Sequence, residues 1–198
     1  MQGKFEMSMI GELTFFLEIQ VKQMNDGTFI SQTKYTRDLM KKFDMKEKSS
    51  VKIPMNTSIK MDMDAYGKAV DQTRYRALIG SLLYLTASKP DITFVVGISS
   101  RFTSNPSKEH GKELKRVLRY FKFTINYGLY YNRGSSTLEC YSDANWAADK
   151  IDSRSTSGWL FTIGGAIIVW ASKRQTCVAL SSLESEYIPV SIASKGIV

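Results

Sequence analysis

We predict an α+β fold from two hydrophobic periodicities that follow one another along the 198-residue chain. Segments near both ends alternate apolar and polar residues, which is typical of strands. Between them, apolar residues recur every three or four positions, which is typical of helices. Apolar residues make up 43% of the chain, which is enough for a packed core.

The first predicted element is a hairpin followed by a helix. Residues 13–23 alternate as one strand, Asp26-Gly27 marks a turn, and residues 29–32 return as a second strand. Thr33 is predicted to cap the helix that follows. The apolar positions of this helix are Tyr35, Leu39, Met40 and Phe43.

The middle of the chain is predicted to be a long loop and two helices. Residues 46–72 are polar and aperiodic, and Pro54 interrupts them, so they favour a loop. Residues 91–103 favour a helix, although they contain several β-branched residues. The helix between these segments has a predicted core stripe of Tyr75, Leu78, Ile79, Leu82 and Leu83.

The clearest helix is predicted within residues 104–124. Asn105 is a suitable N-cap and Pro106 a suitable first helical residue. Its core stripe consists of Leu114, Val117, Leu118 and Phe121. The opposite side carries five cations, Lys112, Lys115, Arg116, Arg119 and Lys122.

These cations belong to a local concentration of positive charge. The chain has a net charge of +8, and residues 101–133 hold eight basic and two acidic residues, a net charge of +6. A basic block of this kind indicates a polyanionic partner, most simply nucleic acid. A solvated helix face is the alternative explanation.

A second, smaller unit is predicted after a boundary at residues 132–136. Residues 137–172 are predicted to form three antiparallel strands, with a hairpin turn at Gly164-Gly165. A helix is predicted from about Ser182. We therefore divide the chain into residues 1–132 and 137–198.

Several classes of protein are excluded by composition. Cys140 and Cys177 form no CxxC pair and His110 has no partner at metal-ligand spacing, so a zinc site is not expected. No run of 18 apolar residues and no signal-peptide pattern are found. We expect an intracellular protein, in the nucleus or a cytoplasmic particle, with no membrane partner.

Three carboxylates near the end of the chain suggest metal chemistry. Phosphodiester hydrolysis by bound Mg²⁺ needs carboxylates that converge from different elements. Asp143 on a strand and Glu186 on the following helix are separated by a hairpin that could bring them together. Asp143 could instead be a turn residue, and Glu184 completes a capping box with Ser181, which leaves Glu186 as the better candidate.

The sequence resembles the Pol polyproteins of copia-type retrotransposons. The stretch "YSDANWAADKIDSRSTSGWLFTIGGAIIVWASKRQTCVALSSLESEY" is similar to their RNase H domain. The stretches "FEMSMIGELTFFL", "IQVKQMNDGTFISQTKYTRDLMKKF", "YRALIGSLLYLTASKPDI" and "LKRVLRYFKFT" are similar to the end of the palm and to the thumb of their reverse transcriptase. The resemblance covers nearly the whole chain.

The resemblance implies a fold, an activity and site residues. Residues 1–132 would be the palm-end hairpin and helical thumb, and residues 137–198 a truncated RNase H-like domain with a mixed β-sheet and helix. Asp143 and Glu186 would be catalytic Mg²⁺ ligands. The cationic helix would lie against an RNA–DNA hybrid or duplex, with the remainder of the polyprotein as a further partner.

Departures from the family pattern imply that this chain is an inactive fragment. The Tyr-x-Asp-Asp hairpin of the polymerase and the third RNase H carboxylate are both missing, and Glu18 stands where the family suggests glycine. Pro189 lies inside the helix of Glu186, where it should cost ~3 kcal/mol unless the helix kinks. A nucleic-acid-binding remnant and a non-functional pseudogene product are the alternatives.

Overall fold

The structure, a computed structural model, describes residues 11–45, 49–56, 68–134, 136–149 and 151–196. Within these ranges the chain forms two antiparallel sheets and five α-helices. The first sheet has the order β1 (Phe15–Phe16), β2 (Ile19–Met24), β3 (Gly27–Ser31) and β4 (Leu129–Asn132). The second has the order β5 (Leu138–Asn145), β6 (Thr156–Ile163) and β7 (Ala166–Arg174).

The helices account for most of the core. They are α1 (Thr33–Lys42), α2 (Gln72–Leu85), α3 (Thr93–Ser100), α4 (Lys108–Thr124) and α5 (Ser182–Lys195). Apolar side chains of α1 to α4 pack into one cluster. Its members that are fully shielded from solvent include Leu82, Leu85, Val96, Leu114, Val117, Leu118 and Phe121. The α+β class is therefore confirmed.

The second sheet follows the sequence pattern closely. Its three strands are antiparallel, Asp143 lies on the first of them, and the hairpin turns at Gly164-Gly165, where both glycines have positive φ. However, both sheets are purely antiparallel in the described ranges. The mixed sheet implied by the family resemblance is therefore not found among the described residues.

The first hairpin contains a turn that the alternation concealed. Residues 13–23 were predicted to form one strand, but the chain reverses between β1 and β2 at Leu17 and Glu18, whose φ angles are 45° and 58°. Two successive positive φ angles are the backbone of a type I′ turn, which favours glycine and asparagine. The alternation continues through the turn, so periodicity alone gave one strand instead of two.

A close backbone approach explains Gly27 at the start of β3. A Cβ atom at this position would lie 2.4 Å from the carbonyl oxygen of Tyr131. Tyr131 belongs to β4, which pairs with β3 and completes the first sheet. The sequence analysis did not predict β4, because only four residues contribute to it and they lie beside the expected linker.

Helix boundaries differ from the prediction at two N-termini. Helix α4 begins two residues later than expected, because Ser107, not Asn105, is its N-cap. Residues 106–108 are held extended by bonds from the Val70 N–H to the Pro106 carbonyl and from the Lys108 N–H to the Lys68 carbonyl. In α1, Thr33 is the first helical residue rather than the cap, and its hydroxyl donates to the Ile125 carbonyl.

The remaining predictions for the middle of the chain are mostly confirmed. Helices α2 and α3 are present, although Leu83, predicted to be buried, is 49% exposed. It lies one residue beyond Leu82 and so faces away from the core. The predicted loop at 46–72 has no regular element at residues 49–56, and residues 46–48 and 57–67 lie outside the described residues. The boundary at residues 132–136 stays a prediction.

Helix α3 and the end of α2 join the helical cluster to the second sheet. The indole Nε1–H of Trp170 on β7 donates to the Thr86 carbonyl at 3.0 Å. Arg101, directly after α3, donates to the Asp149 carboxylate at 2.9 Å and to the Thr156 hydroxyl at 3.1 Å. One face of the second sheet is therefore directed toward α3.

Helix α5 lies against the other face of the second sheet and contains a proline without a break. Pro189 cannot donate the N–H that would normally reach the carbonyl of Ser185. That carbonyl instead accepts the side-chain amide of Gln175 at 2.8 Å, and the same amide donates to the Ser157 hydroxyl at 2.9 Å. Gln175 therefore replaces the hydrogen bond that the proline removes.

We predict that Gln175 and Pro189 are energetically coupled. Replacing Gln175 with leucine leaves the buried Ser185 carbonyl without a donor and should lower the free energy of unfolding by about 1–3 kcal/mol. In a Pro189→Ala background the helix itself supplies the N–H, so the same change should cost less. Urea denaturation of the four chains measures the coupling, and equal costs in both backgrounds would contradict it.

Candidate functional site

The predicted cationic side of α4 is present and faces away from the core. Helix α4 buries Leu114, Val117, Leu118 and Phe121 completely. Lys112 and Lys115 on its other side are exposed, and Arg116, Arg119 and Lys122 are half-buried. At 100° per residue the buried and cationic stripes are centred on nearly opposite sides of the helix.

The five cations are not equivalent, because some bind within the protein. The guanidinium of Arg119 donates to the carbonyl oxygen of Ser49 at 2.9 Å and to its hydroxyl at 3.0 Å. Lys112 forms an ion pair with Glu109, one turn earlier on the exposed surface. Exposed pairs of this kind contribute little stability, so Lys112 can exchange its partner for a phosphate at low cost. Arg119 is held by two bonds and serves mainly to fix the segment at Ser49.

Asp143 is exposed on β5 and points toward the face of the sheet that α3 covers. It pairs with Gly158, and its neighbour Ala144 pairs with Ser157. Successive side chains on a strand point to opposite faces, and the Thr156 hydroxyl, on the face of Asp143, binds Arg101. A cavity of about 440 Å³ lies here and is lined by Phe94, Asp143, Ala144, Asn145, Thr156, Gly158 and Ser172.

Glu186 is half-buried on the second turn of α5, which packs against the opposite face. The preceding residue, Ser185, is fully buried, and its carbonyl is linked through Gln175 to Ser157. Ser157 is the partner of Ala144, the residue after Asp143. Asp143 therefore lies on a strand of the sheet and points to the face that α3 covers, whereas Glu186 lies on the helix that packs against the other face. The strand register points Asp143 away from α5, and the convergence of Asp143 and Glu186 on one site stays a prediction.

Glu184 has the structural role that the capping pattern predicted, with one difference. The Ser181 hydroxyl accepts the Glu184 N–H at 3.1 Å, as expected for an N-cap. The Glu184 carboxylate accepts the Leu180 N–H at 2.7 Å, not that of Ser181. This carboxylate is already used at the helix start, which leaves Glu186 as the better candidate ligand on α5.

The described residues do not by themselves fit a Mg²⁺ site. Mg²⁺ requires several oxygen ligands in a compact arrangement. No group of three histidine, cysteine, aspartate or glutamate side chains is close enough to hold a metal ion in the described part of the chain. The predicted pair supplies two carboxylates, and Asp143 points away from the face of the sheet against which α5 and Glu186 pack.

Asp149 and Asp152, to which the sequence analysis assigned no site role, form an ion-pair network. The Asp149 carboxylate is 2.9 Å from Arg101 and 3.4 Å from Arg174. Arg174 is also 2.9 Å from Asp152. The network connects the end of α3 to the loop before β6 and to the end of β7, so its role is to hold the second sheet against the helices.

Sequence reasoning missed the polar residues that share the cavity with Asp143. Asn145 carried a usable signal, because it lies two residues after Asp143 on the same strand and therefore on the same face. Thr156 and Ser172 carried none, since their position beside Asp143 depends on the register of three strands.

Comparison with known proteins places the chain among transposon proteins. It is 40% identical over 92% of its length to the retrovirus-related Pol polyprotein from transposon RE1 of Arabidopsis thaliana, of which it spans only 13%. It is 35% identical over 94% of its length to the uncharacterized mitochondrial protein AtMg00810 of the same plant, of which it covers 78%. It is 46% identical over 61% of its length to secreted RxLR effector protein 161 of Plasmopara viticola, of which it covers 87%.

These similarities define the class of protein. The chain belongs to the family of retrovirus-related Pol polyproteins of transposons and matches a segment of such a polyprotein. The resemblance to a retrotransposon Pol polyprotein is thereby confirmed. No protein-family model and no solved structure matches the chain. Among the described residues, no helix is both long and apolar enough to cross a membrane.

The ion pairs of Asp149 lead us to expect that the folded chain loses stability in acid. Burial alone would raise the pKa of Asp149, but the Ile151 N–H and the charges of Arg101 and Arg174 together lower it below its ordinary value. A depressed pKa means that the ionised carboxylate stabilises the fold at neutral pH and that this contribution is lost as the pH falls below about 4.

We therefore expect Asp149→Asn to destabilise the chain by about 3 kcal/mol at pH 7, because it leaves Arg101 without its charged partner. Below about pH 4 the difference from the natural chain should shrink. Urea denaturation across this pH range measures it, and Asp38→Asn, which affects only an exposed pair on α1, is the matched control. A difference that stays constant with pH would contradict the assignment.

Proposed function

We propose that this chain is a nucleic-acid-binding fragment of a copia-type Pol polyprotein that does not cleave nucleic acid on its own. The observation that supports binding is the cationic side of α4, fixed outward by four fully buried residues on the other side. Lysine and arginine side chains in such a row can contact successive phosphates without reading sequence. RNA–DNA hybrid and duplex are the proposed partners, together with the remainder of the polyprotein.

The proposed subdomains are the end of a reverse transcriptase and the start of an RNase H-like domain. Residues 1–132 would contain the palm-end hairpin, in β2 and β3, and the thumb, in α2 to α4. Residues 137–198 would contain three strands and a helix of the RNase H-like unit. The order of elements supports this assignment. The parent polyprotein would then carry RNA-directed DNA polymerase and Mg²⁺-dependent cleavage of RNA in a hybrid.

Within this chain the carboxylates support binding without catalysis. If Mg²⁺ binds here, Asp143 and Glu186 are the residues proposed to hold it, and the ion would polarise the scissile phosphate. The described residues supply no third carboxylate beside these two. The register directs Asp143 away from α5, so the pair alone is not held in a compact ligand set. This geometry favours a non-catalytic remnant that retains the nucleic-acid-binding helix.

The binding proposal predicts a salt-sensitive interaction that depends on α4. Reversing the charges of Lys112, Lys115 and Lys122 to glutamate should weaken hybrid binding by at least ~100-fold, because each phosphate left without a cation no longer releases its counterions. The slope of log K against log salt should fall by about 0.9 for each such phosphate. Fluorescence anisotropy with a labelled RNA–DNA hybrid at several salt concentrations measures both quantities.

The control for this experiment reverses the same number of charges elsewhere. Helix α1 carries Lys34, Arg37 and Lys41 on its exposed surface. Converting these three to glutamate changes the net charge equally but leaves α4 intact, so binding should fall much less. Equal losses in the two triple variants would show that only overall charge matters and would reject α4 as the interface.

The catalytic part of the proposal predicts that the chain will not cleave the RNA strand of a hybrid. The assay uses a labelled hybrid with Mg²⁺ or Mn²⁺, followed by separation of the products by size. Asp143→Asn is the control for contaminating nuclease, since it removes a proposed metal ligand. Cleavage by the natural chain that disappears in Asp143→Asn would show that the chain is an active nuclease.

A further inference from the structure

A groove of about 350 Å³ lies between α1, α2 and α4, beside the cationic side of α4. Its floor is apolar and consists of Phe43, Val70, Leu78, Leu114 and Leu118. Grooves of this size hold a small organic group rather than a folded element.

The rim of this groove carries four cations. Lys108, Lys112 and Lys115 lie along α4, and Arg74 lies across from them on α2. All four side chains are exposed. The acidic residue in the lining is Asp71, whose carboxylate accepts the N–H groups of Thr73 and Arg74 and so caps α2. The groove therefore combines an apolar floor with a strongly positive rim.

The spacing of the lysines matches an extended anionic chain. Lys108, Lys112 and Lys115 stand at i, i+4 and i+7, so they project from one side of α4 over roughly 10 Å of helix axis. On the opposite wall, the Arg74 guanidinium lies 5.9 Å from the centre of the Phe43 ring. The groove thus places an aromatic ring beside cationic groups, a combination that proteins use to bind single-stranded nucleic acid.

We infer that this groove binds one nucleotide of a single strand, with its base against the apolar floor and its phosphates on the rim. The inference rests on the proposed nucleic-acid interface of α4 and extends it by two residues, Arg74 and Lys108. A nucleobase provides a flat apolar face that can cover Phe43 and Leu78, and its sugar–phosphate backbone provides the negative charge. Aspartate and glutamate side chains provide the charge but no flat apolar surface, which disfavours an acidic peptide.

The groove can be filled without changing any charge. Gly111 lines it from α4, and a Cβ at this position would meet Val70 only at an ordinary contact distance of 3.9 Å. Gly111→Leu therefore places an apolar side chain in the groove while removing a glycine from a helix interior, which favours the helix. Gly80→Leu is the matched control, because Gly80 is an exposed helical glycine on α2 with open space around it.

The test measures binding of a short oligothymidine strand by fluorescence anisotropy at low salt. Gly111→Leu should bind about tenfold more weakly than Gly80→Leu, since the base can no longer reach the floor. The natural chain should bind an abasic strand of the same length about tenfold more weakly than the oligothymidine. Circular dichroism should show both variants folded.

The outcomes separate this inference from the proposed function. If α4 charge reversal abolishes hybrid binding while Gly111→Leu and Gly80→Leu bind the single strand equally, the groove inference is wrong and the interface stands. If an oligoglutamate peptide of matched charge displaces the single strand as well as unlabelled oligothymidine does, the occupant is an acidic peptide and the inference is again wrong. If the natural chain binds no nucleic acid at all, both proposals fail.

Discussion

The burial of one side of α4 is the constraint on which the rest of the helical cluster depends. Leu114, Val117, Leu118 and Phe121 have no solvent exposure, so α4 cannot rotate without exposing them, at roughly 1.5–3 kcal/mol for each large side chain. The helix is also fixed at both ends. At its start, Ser107 and His110 exchange capping hydrogen bonds. At its end, the buried Lys89 ammonium donates to the carbonyls of Thr124 and Tyr127.

Because α4 is fixed in this way, its row of basic side chains lies on the side of the helix that faces solvent. The packing of the apolar side directs the opposite side toward solvent, and Arg119 and Lys112 add contacts of their own with Ser49 and Glu109. The same helix also supplies one wall of the groove, so the groove and the cationic row are parts of one surface. A substitution in the buried stripe should therefore affect the proposed nucleic-acid binding indirectly, through the orientation of α4. Arg119 instead holds the segment at Ser49.

The elements with strong periodicity could be predicted from sequence, and the sites could be predicted only as candidate residues. Helix α4 and the strands of the second sheet were predicted because their apolar residues follow one period over eight or more positions. The turn at Leu17 and Glu18 was missed because the alternation of apolar and polar residues carries no information about the backbone φ angles. The direction of Asp143 was missed because it depends on the pairing of β5 with β6, which spacing along the chain does not determine. Pro189 removes a helical hydrogen bond that Gln175 replaces. This replacement could not be predicted either, because it depends on a tertiary contact.

Binding and cleavage make different demands on this fold. The proposed binding depends on α4 and on the core that orients it, both of which are present in the described residues. Cleavage with Asp143 and Glu186 as ligands would need side chains from the two faces of the second sheet to meet. In the described sheet, β5 pairs with β6 alone and so is an edge strand. Asp143 and Glu186 would be the residues to hold an ion, and two carboxylates are fewer than the several oxygen ligands that Mg²⁺ requires. The cationic surface can therefore persist in a fragment whose carboxylates are not held for catalysis.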